Sequence, residues 1–218
     1  MTPPQRTLFV AGATGATGRT LMRMALANHV DVIPHVRPRS AGRPPASTWT
    51  HRAEFELSDH DQLVAALKGR TTVLQLIGTM RKRFASGDTY ISSDIGTTRQ
   101  LVEASKEAGV RHLLLLSSVG AGRPMGAYLQ AKAEAEHLVR ESGLSWTIFR
   151  PSAFEGEGHH VPGAKLLSAL PLLKRFRPIR MEELASALLK VALDGAPSQT
   201  VLEGESLWDV VRAAAPLR

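Results

Sequence analysis

A glycine-rich turn directly after a short apolar run near the start of the chain sharply limits the possible folds. The apolar run, Leu8 to Ala11, is followed by Gly12-Ala13-Thr14-Gly15-Ala16-Thr17-Gly18 and then by an amphipathic helical pattern. The spacing Gly-x-x-Gly-x-x-Gly lets a strand turn sharply into a helix and lets the backbone approach a pyrophosphate closely. Amides at the start of the helix then bind the phosphate. The turn therefore predicts dinucleotide binding, and a tight turn without a ligand is the alternative.

Short apolar runs alternate with longer helical patterns along the rest of the sequence, which is typical of a parallel sheet. The clearest run is Leu113 to Leu116, apolar on consecutive residues as in strands buried on both faces. The expected fold class is α/β, a Rossmann-like doubly wound, mostly parallel sheet with helices on both faces. We expect a local bulge at Pro34, inside the second strand. Strands are predicted at 8–11, 30–37, 54–57, 73–77, 112–116 and 146–150, and helices at 17–27, 59–68, 95–108, 128–142 and 181–193.

Length and composition indicate one folded domain. The 218 residues, 43% apolar and 22% charged, are enough for a sizeable core and exclude a disordered or fibrous protein. We expect a single domain over 1–218, with a small substrate-side segment at about 155–178. The absence of Cys excludes disulfides, thiolate zinc sites and cysteine nucleophiles. With no long apolar run at the start, the sequence favours a cytoplasmic protein without a transmembrane segment.

The net charge of +7 favours acidic partners such as nucleotide phosphates. The run Arg81-Lys82-Arg83 is interpreted as a solvated loop with few aromatic residues nearby, so nucleic acid binding is not expected. His159 and His160 have no third ligand at suitable spacing, so no metal site is expected.

The end of the second predicted strand bears on the choice between the two nicotinamide dinucleotides. An acidic residue at this position would bind the adenosine ribose hydroxyls, whereas an Arg suits a 2′-phosphate. The sequence has Arg37 there, with Arg39 and Arg43 nearby. Arg37 therefore favours NADP over NAD, and a solvated basic loop is the alternative.

A tyrosine and a lysine lie four residues apart at the start of a predicted helix, in Tyr128-Leu129-Gln130-Ala131-Lys132. This spacing places both side chains on one helix face. An ammonium group there stabilises a phenolate and can donate to a cofactor ribose, so Tyr128 becomes a usable acid or base. The preceding strand ends in Ser117-Ser118, at the sheet edge where such folds bind ligands. A helix-surface pair and ordinary turn serines are the alternatives.

Together these residues resemble the short-chain dehydrogenase/reductase superfamily, in its atypical branch of small NmrA-like and Tat-interacting-protein-like members. The resemblance covers nearly the whole chain. It rests on the glycine turn, Gly78-Thr79, Leu115-Leu116-Ser117-Ser118, the Tyr128 to Lys132 segment and Phe149-Arg150-Pro151. The chain differs from the family pattern in the short spacing between the serines and Tyr128, in Pro34, and in lacking the Asn often found after the fourth strand.

The resemblance implies a catalytic set in which Tyr128 transfers the proton, Lys132 anchors the nicotinamide ribose, and Ser118, with Ser117 as the second choice, hydrogen-bonds the substrate oxygen. It also implies a cofactor-binding set, which Ser117, Tyr128 and Lys132 share. The other members of that set are Gly12, Thr14, Gly15, Ala16, Thr17 and Gly18 in the turn, Arg37 at the adenosine phosphate, Glu56 and Leu57 near adenine, Gly78 and Thr79 near the ribose, and Pro151 and Ser152 beside the nicotinamide.

Two functions follow from these residues. The first is an oxidoreductase that uses NADPH, with NAD as the second choice of cofactor, to reduce a small carbonyl-type substrate through the Tyr/Lys pair. The second is a non-catalytic NAD(P)-binding regulator or redox sensor that acts through a partner protein, with the basic segment 174–180 as the contact surface. Both require the glycine turn, and only the first requires Tyr128. A monomer or a homodimer is expected.

Overall fold

The computed structural model describes residues 6–78, 89–152, 154–155 and 177–214. Its strands are β1 (Leu8–Ala11), β2 (Val32–Val36), β3 (Ala53–Glu54), β4 (Thr72–Gln75), β5 (His112–Leu116), β6 (Ser145–Arg150), β7 (Phe154–Glu155), β8 (Ile179–Arg180) and β9 (Thr200–Glu203). Seven of them form one parallel sheet in the order β3-β2-β1-β4-β5-β6-β9. The remaining two, β7 and β8, form a separate parallel pair.

Helices connect the strands. The α-helices among the described residues are α1 (Ala16–Ala27), α2 (Pro38–Ala41), α3 (His60–Leu67), α4 (Thr97–Ala108), α5 (Gly126–Arg140), α6 (Met181–Asp194) and α7 (Glu205–Ala213). A short 3-10 helix spans Ala46–Thr48, and a π-helical turn, Ile91–Gly96, leads directly into α4.

Alternate residues of β1 face opposite sides of the sheet, and both sides are buried. Leu8 and Val10 pack in one cluster with α1, α6 and α7, whereas Phe9 and Ala11 pack in another with α3 and α4. A third cluster joins β5 and β6 to α4 and α5. Burial on both faces explains the continuous apolar runs of the strands. The predicted Rossmann-like doubly wound fold is confirmed.

The strand order places the candidate site. After β1 the chain moves outward to β2 and β3, and it then returns to β4 on the other side of β1. The crossover directions diverge between β1 and β4, and doubly wound sheets bind ligands at this point, beyond the carboxyl ends of the strands. The glycine turn after β1 and Gly78, shortly after β4, lie at this edge.

Several boundaries differ from the prediction. The register from Leu8↔Val32 to Val10↔Pro34 is continuous, so the bulge predicted at Pro34 is wrong. Pro34 is tolerated because β3 has only two residues and pairs with His35 and Val36. The predicted strand 54–57 is shorter in the structure, and residues 56 and 57 belong to the turn before α3.

Two C-terminal elements, β9 and α7, were not predicted. β9 is a half-exposed edge strand in which only Leu202 is buried, so it lacks a continuous apolar run. The following helix α7 buries only Leu207 and Trp208. The apolar residues of α7, Leu207, Trp208, Val210 and Val211, do recur at helical spacing and pack against the core, so the sequence contained the signal for this helix.

Candidate functional site

Only glycine fits at the first and third glycine positions of the turn. Gly12 has φ of 89°, and a Cβ there would lie 2.8 Å from the backbone carbon of Leu76. A Cβ at Gly18 would lie 2.7 Å from the Cα of Ala13, because α1 packs directly against the turn. The backbone closes on itself through a hydrogen bond from the Gly15 amide to the Gly12 carbonyl at 3.0 Å.

The start of α1 fits a pyrophosphate group. Gly15 is the N-cap residue, no side chain caps the helix, and its first turn contains no acidic residue. The first amides of a helix lack intrahelical partners and carry the positive end of the helix dipole, so they attract an anion. Ala16 and Thr17 are the first two residues of α1, and Thr14 directly precedes its N-cap residue. Arg19 closes the outer side of the turn by donating from Nη1 to the Thr14 carbonyl at 3.1 Å.

Lys132 is the buried centre of the second half of the site. Its side chain is 6% exposed, and its Nζ lies 2.8 Å from Oδ1 of Asp94, whose side chain is 1% exposed. Lys132 Nζ also donates to the Leu116 carbonyl at 3.2 Å, at the carboxyl end of β5. A Cβ at Gly78 would lie 3.0 Å from the same nitrogen. The lysine thus joins the ends of β4 and β5 to α5 and the π-helical turn.

Tyr128 lies on the same face of α5 as Lys132, as the spacing predicts. The ammonium nitrogen of Lys132 is 5.9 Å from the centroid of the Tyr128 ring. The Tyr128 ring also contacts the Tyr90 ring, with centroids 5.6 Å apart and planes inclined by 57°. Tyr128 is 37% exposed, so its phenol is accessible to a small molecule.

The two serines after β5 have different surroundings. The Ser117 hydroxyl is buried and donates to Oε1 of Glu136 at 2.6 Å. The half-buried Ser118 hydroxyl has only a long contact, 3.3 Å, with the Val119 carbonyl. Ser118 therefore has the more available hydroxyl, and its role as the substrate-binding serine stays a prediction. The Ser117 amide is also engaged, since it donates to the Phe149 carbonyl at 2.7 Å.

Glu136 and Arg150 form a buried network behind the serines. Arg150 donates to both carboxylate oxygens of Glu136, at 2.8 and 2.6 Å, and to Glu203 at 2.9 Å. Burial alone would raise the pKa of Glu136, but hydrogen bonds from Arg150 and Ser117 outweigh it and keep that pKa below its ordinary value. The network links Ser117 to β6 and β9.

The residues predicted to bind the adenosine half of a dinucleotide follow β2 and β3. Arg37 comes directly after β2 and is the N-cap residue of α2, which begins with Pro38. Glu56 is exposed and Leu57 is buried. The Glu56 carbonyl accepts from the Asp59 amide at 2.8 Å, which fixes the turn into α3.

The residues predicted near the nicotinamide follow β6. The Pro151 carbonyl accepts from the Val119 amide at 3.0 Å, so the loops after β5 and β6 are bonded together. Ser152 donates its hydroxyl to the Arg177 carbonyl. Thr79, Arg81 to Arg83, His159 and His160 lie outside the described residues, as does most of the predicted segment 155–178.

Sequence reasoning missed Asp94, Glu136 and Tyr90. Asp94 and Tyr90 lie in or next to the π-helical turn, where the side-chain directions do not follow the 3.6-residue period. The partners of Asp94 and Glu136 lie on other elements, so no local spacing identifies them. A weak signal was available for Glu136, four residues after Lys132 on the same helix.

An open depression lies apart from this site. It is found beside the edge strand β3, and its polar lining comes from Arg52, Gln62, Lys68 and Arg70. It shares no residue with the glycine turn or the surroundings of Lys132. Its arginines are paired, Arg52 with Glu54 and Arg70 with Asp31. We therefore place the candidate functional site at the carboxyl edge of the sheet and not in this depression.

A family model described as NAD(P)H-binding matches residues 12–194, and the chain belongs to this NAD(P)H-binding family. The matched region runs from the first glycine of the turn to the last residue of α6. The binding of NAD(P)H by which this family is described agrees with the anion-binding geometry at the start of α1.

One curated relative indicates which branch of the family the chain resembles. Protein HTATIP2 from Rattus norvegicus is 27% identical over 150 residues, which make up 67% of this chain and 62% of that protein. The chain thus spans somewhat less than two thirds of this relative's length. Together with the family match, it confirms the resemblance to the atypical NmrA-like and Tat-interacting-protein-like branch.

Solved structures share the fold. MoeE5 in complex with UDP-glucose and NAD superposes with a TM-score of 0.69 at 20% identity, over 97% of this chain and 83% of that one. Triphenylmethane reductase from Citrobacter sp. in complex with NADP(H) gives 0.66 at 14% identity, over 96% and 76%. At these identities the likeness shows the fold alone. Within the described residues, no helix has the length and apolar character needed to cross a bilayer.

Proposed function

We propose that this protein binds NADP(H) across the carboxyl edge of its sheet and reduces a small carbonyl compound with Tyr128 as the proton donor. The observation that carries the proposal is the position of Lys132. Its buried ammonium is held by Asp94 and Leu116 beside Gly78, and it lies 5.9 Å from the Tyr128 ring. One residue thereby connects the proposed ribose site to the proposed proton donor.

The first half of the site fits the dinucleotide because the glycine turn packs tightly after β1, where only glycine is tolerated, and the uncapped start of α1 attracts an anion. The known complex of a fold neighbour with NADP(H) supports this assignment. The residues that would hold the cofactor are the backbone of 12–18 at the pyrophosphate, Arg37 at the 2′-phosphate, Glu56 and Leu57 at adenine, Gly78, Thr79 and Lys132 at the riboses, and Pro151 and Ser152 at the nicotinamide.

A reduced nicotinamide, when bound, supplies the hydride that a carbonyl carbon requires. The chain's own residues complete the chemistry at the carbonyl oxygen. Tyr128 Oη donates its proton to this oxygen, and the Ser118 hydroxyl donates a hydrogen bond to it. Lys132 has three N–H groups, and its contacts with Asp94 and Leu116 use two of them, so one remains for a ribose hydroxyl.

The proposal is tested by titrating the purified protein with NADPH, NADP, NADH and NAD and by assaying reduction of a carbonyl panel. Tyr128→Phe removes the proton donor and keeps the ring that contacts Tyr90. We expect this variant to lose more than about 99% of the turnover, in line with the usual contribution of general acid catalysis, and to bind NADPH nearly as the parent does. Surviving turnover would show that another group donates the proton.

The preference for NADP is tested at Arg37. Replacing Arg37 with Ala removes a guanidinium that a 2′-phosphate would use, so we expect NADPH affinity to fall about tenfold or more while NADH affinity changes little. Arg111→Ala, an exposed arginine directly before β5 at the opposite edge of the sheet, is the control. Equal losses for the two cofactors would remove Arg37 from phosphate recognition.

A non-catalytic regulator is the second candidate, and one observation favours it. Asp94 neutralises Lys132, which lowers the positive charge that Lys132 presents to the Tyr128 phenol. A chain of this kind would bind the dinucleotide and signal through a partner protein without turnover. In the described part of the basic segment, Arg177 stacks on Trp208 at 4.0 Å and Arg180 pairs with Glu183. Tight NADPH binding with no reduction of any carbonyl, in both the parent and Tyr128→Phe, would support this candidate.

The cytoplasmic location and the oligomeric state stay predictions.

A further inference from the structure

Large hydrophobic side chains are exposed around Tyr128. Among the described residues, Ile91 is 73% exposed, Met125 84% and Tyr128 37%, and the fourth such side chain, Leu26, lies on α1. Single exposed hydrophobic residues are ordinary, but a group of them beside a proposed reaction centre marks a binding surface. We call Tyr90, Ile91, Met125 and Tyr128 the apolar wall.

Two elements form the apolar wall, and an aromatic contact joins them. Tyr90 and Ile91 lie at the start of the π-helical turn, whereas Met125 is the N-cap residue of α5 and precedes Tyr128 by three positions. The rings of Tyr90 and Tyr128 are 5.6 Å apart, a distance typical of a tilted aromatic pair. A molecule that reaches the Tyr128 hydroxyl therefore lies beside aromatic and aliphatic side chains.

Within the described part of the chain, the charged groups close to the apolar wall offer little to a charged substrate. Lys132 and Asp94 are buried and paired with each other. Among the described residues, Arg123, two residues before Met125, is an exposed cation in the loop that leads to α5, and an anionic substrate could use it. Three of the exposed side chains on these two elements, Ile91, Met125 and Tyr128, are aliphatic or aromatic.

We propose that the carbonyl compound protonated by Tyr128 is a flat aromatic ketone that binds with its ring against the apolar wall. This proposal rests on the proposed function, because it takes Tyr128 as the proton donor. The carbonyl carbon gains the hydride and its oxygen gains the Tyr128 proton, while the reduced dinucleotide is oxidised, so an aromatic ketone leaves as the alcohol. The aromatic rings of the wall favour stacking or edge contact with such a substrate.

Binding is measured first without turnover. The protein is saturated with NADP, which cannot reduce a ketone, and is titrated by calorimetry with 2-acetylnaphthalene and with 2-butanone. Both probes are methyl ketones, and they differ in flat apolar surface. We expect the aromatic ketone to bind about a hundredfold more tightly, as burial of its rings implies.

Two variants of the apolar wall and one matched control locate the binding surface. Ile91→Ser and Met125→Ser remove exposed side chains that do not support the core, and each is expected to weaken 2-acetylnaphthalene binding about tenfold. Leu26→Ser, at the exposed hydrophobic residue on α1, should leave that affinity unchanged. The affinity for NADP should remain the same in all three variants.

Several results would overturn the proposal. Equal affinity for the two ketones, or equal effects of Leu26→Ser and Met125→Ser, would show that the wall does not bind the ring. Tighter binding of pyruvate that disappears in Arg123→Gln would assign an anionic substrate. A dimer that Ile91→Ser and Met125→Ser dissociate, with ketone binding unchanged, would make the wall a contact between copies. Failure to bind NADP, measured beforehand, would overturn the proposed function itself.

Discussion

The ion pair between Lys132 and Asp94 limits what each residue can do alone. Both side chains are almost fully buried, and the pair lies 2.8 Å apart. Removing one member of a buried pair leaves an uncompensated charge, and this typically costs about 3–5 kcal/mol of unfolding free energy. Replacing both members by uncharged groups costs much less. The pair is therefore best tested by comparing single and double substitutions.

Asp94→Asn should lower the free energy of unfolding by about 3 kcal/mol, measured by urea denaturation, because Lys132 keeps its charge without a counter-ion. Asp94→Asn with Lys132→Met should recover most of this loss. Asp209→Asn, which weakens the exposed pair with Arg212, is the control and should cost less than about 1 kcal/mol. Equal effects of the two single substitutions would mean that the buried pair adds nothing beyond a surface pair.

At the scale of elements, local spacing predicted much of the fold and part of the site. The strands at 8–11 and 112–116 agree with β1 and β5 because burial on both faces produces unbroken apolar runs. The glycine turn and the Tyr128 and Lys132 pair were also predictable, since each depends on spacing within one segment. Helix ends were signalled by glycine, as at Gly109 and Gly195, which adopt the left-handed conformation.

The missed features depend on contacts between segments. Ser117 bonds Glu136 across 19 residues, and Arg150 bonds Glu203 across 53. The π-helical turn changes the direction in which the Asp94 side chain points. A helical pattern of 3.6 residues per turn therefore does not place this side chain on the face toward Lys132. Sequence patterns therefore indicate which elements exist, whereas the partners of buried charges follow from how those elements pack.

At the scale of the whole molecule, two buried histidines make stability depend on pH. Burial, with a smaller contribution from the nearby charge of Arg6, lowers the pKa of His112 from 6.5 to about 4; its Nε2 contacts the Thr147 hydroxyl at 2.9 Å. Burial also lowers the pKa of His35, partly offset by the hydrogen bond with the Phe55 carbonyl. Both histidines are neutral in the folded state at pH values where the unfolded chain is already protonated.

The unfolding free energy should therefore fall as the pH drops from 6.5 toward 4, since the unfolded state takes up protons that the folded state excludes. The pKa shift of His112 corresponds to about 2 kcal/mol by about pH 4.5. Urea denaturation at several pH values measures this loss, and His112→Gln should reduce it. His60→Gln is the control, because Glu107 raises the pKa of that exposed histidine and gives the opposite sign. A loss that His112→Gln leaves unchanged would assign the acid sensitivity to other groups.

The small β7 and β8 pair has a consequence for how the protein can diversify. The pair fixes Phe154 against Ile179 and Glu155 against Arg180, so the chain leaves the end of β6 and returns to the start of α6 at one anchored place. Once the two ends of a segment are fixed together, each doubling of its length adds only about 0.6 kcal/mol of closure entropy. The segment between the two strands can therefore change in length at a small entropic cost, while the seven-stranded sheet, to which β7 and β8 do not belong, keeps its strand order.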